Sequence, residues 1–265
     1  MQKLGKNING YLGERIELTA VQRESAAIAT THGWATEEVH PAPRRILGFV
    51  RHSGRPANEV LRVYLSSGIH GDEPAGPLAI RQLLHENNWP AELDLWMCPW
   101  LNPTGFALGK RENQEGLDLN RQYLAPKAAE TAAHIAWLDR QPRFDLCLCL
   151  HEDWESHGFY VYEQNPDQQP SLAEAMIQSV AQVCPIDRSE IIEGRVARDG
   201  IIRPNLDPRE RPDWPEAFYL ITSKTRLSYT LEAPSDFRLQ TRVAALVAAV
   251  NAALKAFVQT RTRPA

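Results

Sequence analysis

The chain has 265 residues, 43% of them hydrophobic and 23% charged, with a formal net charge of −4 at pH 7. That length suffices for one large domain with a sizeable core, and the charge, without any long run of lysine and arginine, argues against nucleic acid or an anionic membrane as partner. The first residues carry no secretory-type apolar stretch and no uninterrupted apolar segment approaches the roughly 18 residues of a membrane span, so the expectation is a single cytoplasmic domain over residues 1–265.

In chain order, apolar runs predict buried strands at residues 46–50, 60–66, 93–99, 144–150, 159–162 and 229–231. Helical spacing lies between them, at about residues 74–86, 127–140, 171–183 and 239–258, with Asp72 as a candidate N-cap for the first. Residues 193–215 are rich in proline, arginine and aspartate without a clear period, and are expected to form a long loop. Cys147 and Cys149 alternate within an apolar run and share one strand face. With Cys98 and Cys184 they read as small buried hydrophobes of a reducing compartment. Strands alternating with helices predict an α/β fold, a three-layer sandwich whose mixed, mostly parallel sheet carries helices on both faces. In such sheets, ligands gather where strands end.

Four polar clusters fall at such places. In residues 66–76 a buried strand ends, and His70 and Glu73 follow at a turn into a helix. That spacing lets an imidazole and a carboxylate converge on one ion, and zinc takes both ligand types. In residues 144–153 an apolar strand stops at His151, a position for a third ligand. In residues 227–236 Glu232 ends a strand before a proline, where a carboxylate near a metal can move a proton. The glycine-punctuated stretch 101–123 holds Arg111, Asn120 and Arg121, suited to gripping a carboxylate or steadying an oxyanion. Taken singly, the H-x-x-E spacing, His151 and Glu232 each favour an ordinary structural role; taken together they outline an open zinc site. Glu152, Asp153, Glu155 and His157 form a further acidic and imidazole-rich patch, readable as a solvated loop, a wall of the substrate site or a second metal site.

In this order the clusters resemble the zinc carboxypeptidase superfamily, including its aspartoacylase and succinylglutamate desuccinylase branch. The likeness covers roughly residues 61–236 through H-x-x-E, N-P-x-G, D-x-N-R, a strand-end histidine and a late strand-end glutamate. It implies His70, Glu73 and His151 as ligands of one Zn2+ per chain, Glu232 as general base, and Arg111 as the residue polarising the scissile carbonyl. It further implies Asn120 and Arg121 as the carboxylate grip, and Asp118 as the residue orienting the first zinc histidine. The family's substrate-side tyrosine has Tyr219 as its better candidate here. The activity implied is hydrolysis of a peptide or amide bond next to a free carboxylate, with a small peptide as substrate. An N-acyl amino acid, as for a deacylase of the aspartoacylase type, is the alternative, and a non-catalytic zinc-binding relative the third.

Overall fold

The computed structural model of the chain describes residues 3–5, 14–205, 207 and 212–262. It opens with two elements that periodicity did not announce, α1 (Leu18–Thr31) and β1 (Ala35–His40). Helix α1 buries Leu18, Val21, Ser25 and Ala29, a stripe at helical spacing interrupted by a serine, and β1 buries only Val39. Next come β2 (Ile46–Arg51), β3 (Leu61–Ser67), α2 (Ala75–Glu86), β4 (Leu93–Cys98) and α3 (Pro103–Leu108). They are followed by α4 (Ala129–Arg140), β5 (Leu146–Asp153), β6 (Tyr160–Gln164) and α5 (Ala173–Val180). The chain ends with β7 (Ile191–Ile192), β8 (Arg195–Arg198), β9 (Ile201–Ile202), α6 (Glu216–Tyr219), β10 (Ser228–Pro234) and α7 (Leu239–Thr262).

Among the described residues the strands form one mixed sheet in the order β1-β2-β4-β3-β5-β10-β6-β9-β8-β7. Parallel pairing joins β4, β3, β5 and β10 at the centre, while β2 and β6 run antiparallel to their central neighbours. All eight residues of β5 are buried, as a strand covered on both faces requires. Helices α1, α2, α5 and α7 pack on one face, with Leu65, Leu148, Leu150, Leu231, Leu246 and Leu254 in that core. Helices α4 and α6 cover the other, packing Trp137 and the adjoining Leu220 over Tyr64, Cys147 and Cys149. All four cysteines are free and buried, and Cys147 and Cys149 share the second face as their alternation requires.

Two expectations need correction. The stretch 193–215 is not wholly a loop: β8 and β9 pair within it and join the sheet edge, and part of the remainder lies outside the described residues. Asp72 does not cap α2, which follows Pro74 and has no side-chain cap of its own. Its first N–H, on Ala75, donates instead to Glu152 Oε1 at 2.5 Å, a carboxylate from β5 placed at the positive end of the helix dipole. Helix α7 is long and apolar enough, at a mean hydropathy of 1.6, to cross a membrane by length and composition. Its Ala245, Leu246, Ala249, Val250, Ala253, Leu254 and Phe257 are buried in the first core, against α2, α5 and β10.

Candidate active site

The central strands deliver the site. Strand β3 ends at Ser67 and the chain turns through Gly68, whose φ of +63° glycine adopts without strain, before His70. Gly71 makes a closer demand, because a Cβ there would lie 2.0 Å from the backbone of Gly105. His151 on β5 and Glu232 on β10 are register partners on adjacent parallel strands, so their side chains rise from one face about 4.8 Å apart in the ladder direction. His70, Glu73 and His151 are all buried, and one ligand atom from each lies within 4.8 Å of the others. His70 Nδ1 contacts Glu73 Oε1, and His151 Nδ1 lies 3.0 Å from Glu73 Oε2.

The charges explain each other. Burial disfavours an imidazolium at His70, but the Glu73 carboxylate, helped by Asp118, outweighs it and lifts the pKa to about 9. Burial likewise acts to raise Glu73, yet the two facing imidazoles hold it well below the usual carboxylate range. The cluster therefore demands positive charge between its members, and a divalent cation meets that demand with the same three atoms. Two imidazole nitrogens and a carboxylate are a ligand set that zinc accepts, so the residues fit a metal.

Around them stand the partners expected from the sequence. Asp118 Oδ1 lies 3.4 Å from His70 Nε2, within ion-pair reach but without hydrogen-bond alignment, and its Oδ2 accepts from Arg111 Nε at 3.0 Å. Arg111 Nη1 approaches Glu73 Oε1 at 4.0 Å. Asn120 Oδ1 accepts the Glu216 N–H at 2.8 Å, which fixes the amide of Asn120, and Arg121 Nη1 donates to the Asn120 carbonyl at 2.8 Å. Burial, then Glu73 and Glu193, push the Glu232 carboxyl well above its ordinary pKa. A cavity of about 580 Å³ is lined by His70, Glu73, Arg111, Asn120, Arg121, His151 and Glu232 together.

Tyr219 is the expected residue that the structure sets apart. Its ring packs at 5.7 Å from Tyr123 in the second core, its OH donates to Asp139 Oδ1 at 2.6 Å, and it does not line the cavity. Glu152 is also not a solvated loop residue: besides capping α2 it pairs with Arg242 of α7, both side chains fully buried. Its N–H donates to Glu73 Oε2 at 3.1 Å, tying this ion pair to the Glu73 carboxylate between the two histidines. A residue not singled out from the sequence is Glu216, which accepts from Tyr64 OH at 3.1 Å and Ser66 Oγ at 3.0 Å beneath the site.

Comparison with known proteins agrees with this geometry. Residues 59–185 match the succinylglutamate desuccinylase/aspartoacylase catalytic domain. A provisionally named metallopeptidase from Shewanella denitrificans OS217 is 26% identical and superposes with a TM-score of 0.76 over 89% of this chain and 88% of that one. In sequence and fold the chain is similar to the zinc carboxypeptidase-like superfamily. Its members are metallopeptidase-like hydrolases. Carboxypeptidase SOL1 of Arabidopsis thaliana is 30% identical over 161 residues, 57% of this chain, and the match spans 28% of that relative's length. A metallo-carboxypeptidase from Burkholderia cenocepacia shares the superfamily fold at 19% identity, with a TM-score of 0.69 over 94% of this chain and 70% of that one.

Proposed function

We propose that the chain is a single-domain zinc hydrolase cleaving a peptide or amide bond next to a free carboxylate. The observation that carries this reading is the convergence of His70, Glu73 and His151 beside Glu232, in the cavity that also holds Asn120 and Arg121. Zinc held by those three residues would supply a Lewis acid with an open position and lower the pKa of a water towards about 7. Glu232, whose burial among carboxylates strengthens it as a base, takes the proton of the attacking water and returns it to the departing nitrogen. Arg111, steadied by Asp118, faces the charge that develops on the carbonyl oxygen. Asn120 and Arg121 grip the substrate carboxylate.

The test is hydrolysis by the zinc-loaded chain of dipeptides, muropeptides and N-acyl amino acids, with Glu232→Gln as control. The variant should lose about 10²–10⁴-fold in kcat while its zinc content by elemental analysis stays the same. Near-normal turnover in the variant would remove Glu232 from the mechanism, and a panel with no cleavage at all would remove the hydrolase reading. The match of residues 59–185 to the desuccinylase and aspartoacylase domain favours a second reading, an N-acyl amino acid deacylase. Faster cleavage of N-acyl amino acids than of any peptide selects it.

A further inference from the structure

Glu216 does not line the cavity, although Pro215 and Ala217 on either side of it do. Its side chain turns the other way, into the second core, where Tyr64 OH reaches its Oε1 and Ser66 Oγ its Oε2. Tyr64 and Ser66 stand two apart on β3 and are wholly buried, as Glu216 nearly is. The Tyr64 hydroxyl is braced from behind by His134 Nε2 at 2.8 Å, and His134 Nδ1 in turn by Tyr123 OH at 2.7 Å. Among the described residues this carboxyl has no ion-pair partner. A buried carboxyl without a counter-charge is costly, and an apolar residue would fill the space more cheaply. What the two hydroxyls do supply is a fixed place for the first residue of α6.

The backbone of that residue faces the candidate site. Its N–H donates to Asn120 Oδ1 at 2.8 Å, and two residues earlier the Trp214 carbonyl accepts from Tyr123 N–H at 3.1 Å. Residues 214–216 and 120–123 are thus clamped side by side. A backbone N–H needs an acceptor, so this bond decides which end of the Asn120 amide lies inward. The Nδ2 donors, which have no partner among the described residues, are left for the cavity that Asn120 lines. The opposite orientation would present an oxygen to an anion and repel it.

We propose that Glu216 is a positioning residue for a carboxylate grip. Its side chain, anchored on Tyr64 and Ser66, holds its own N–H against Asn120 Oδ1 and so presents the Asn120 Nδ2 donors to a substrate carboxylate. The inference rests on the hydrolase reading for that carboxylate, whereas the orientation of Asn120 does not depend on it.

The test uses the full zinc-loaded chain carrying Glu232→Gln, so that peptides are bound without being turned over. Calorimetry compares an N-acyl dipeptide with its C-terminal carboxamide, and NMR follows the Asn120 side-chain NH2 pair, assigned by its loss in Asn120→Ala. In this parent the acid should bind at least about tenfold tighter than the carboxamide. Glu216→Leu should bring that ratio to within about threefold of one and shift or broaden the Asn120 signals. Glu216→Gln can still bond both hydroxyls, each of which donates and accepts, and should leave both readouts in place. Ser66→Ala removes one anchor at little steric cost; it should fall between them, and it carries the test where Glu216→Leu does not fold. An affinity loss equal for acid and carboxamide is what a merely structural role gives, and it overturns the proposal. Asn120 signals unchanged in both Glu216→Leu and Ser66→Ala overturn it as well. Asn120 signals that respond, in a parent that binds neither peptide or binds both alike, keep Glu216 as the residue orienting Asn120 and overturn the carboxylate grip of the hydrolase reading.

Discussion

The two walls of the cavity are built on opposite principles. On the β3–β5 side, polar groups are bonded to one another: Glu73 to both histidines and to the Glu152 N–H, Glu152 to Arg242 and Ala75, Asp118 to Arg111. On the β6 side, Gln164 Oε1 and Ser228 Oγ are buried without partners. A wall whose groups satisfy each other holds its geometry before any ligand arrives, which is what a metal site needs. The division is one of degree: His70 Nε2 is left open on the first wall, and Tyr162 OH donates to Glu193 on the second.

Breaking the bonded wall should cost most. Arg242→Leu strands the Glu152 carboxylate in the core, and a loss of about 3–5 kcal/mol in unfolding free energy is expected from urea denaturation. A loss below about 1 kcal/mol would mean that Glu152 is held adequately by Ala75 and Ser235 alone. The next effect depends on pH. Burial raises the Glu216 carboxyl from 4.5 to about 7, so the folded chain keeps a proton that the unfolded chain releases within that window. Stability contributed by this group therefore falls as pH rises from 4.5 to about 7, and is level above it. Compared at pH 4.5 and pH 8, Glu216→Gln should gain on the wild type by up to about 3 kcal/mol. A difference that does not change with pH would show the carboxyl ionised throughout.

Arg121→Ala sharpens the comparison from the substrate side. Losing one charged hydrogen bond of about 1.5–3 kcal/mol should raise KM roughly 10- to 100-fold with kcat little changed. An unchanged KM for carboxylate-bearing substrates would remove Arg121 from the grip. Smallest of all is Tyr219→Phe, which breaks the bond to Asp139 away from the cavity. It should cost about 0.5–1.5 kcal/mol of stability and leave KM alone. A raised KM would return Tyr219 to the substrate.

Much of the metal-side wall was legible because its parts sit at strand ends, where apolar runs stop abruptly. His70, His151 and Glu232 each follow such a run, and the structure brings them to one cavity. The strands themselves fall close to the expected places, since 144–150 reads as β5 at Leu146–Asp153 and 229–231 as the middle of β10. What escaped was set by long-range pairing. Nothing local marks Arg242 as the partner of a carboxylate 90 residues earlier, or Gln164 as part of the cavity lining. Helix α1 escaped because the polar Ser25 interrupts its buried face between Val21 and Ala29, and β8 because Val196 and its arginines are exposed. One signal was available and weak: Glu193-Gly194 between short isoleucine and valine runs is a hairpin pattern.

Strand β10 lies between β5 and β6, although both precede it by more than 60 residues in the chain. During synthesis β5 and β6 emerge while the gap between them is still unfilled, and the ladder closes only when residues 228–234 arrive. Glu232 travels on that closing strand and His151 waits beside the gap. On the proposed reading the chain thus gathers the residues that would hold the metal first and receives Glu232, the proposed proton carrier, last, so a nascent chain would acquire hydrolytic competence only once its fold is nearly finished.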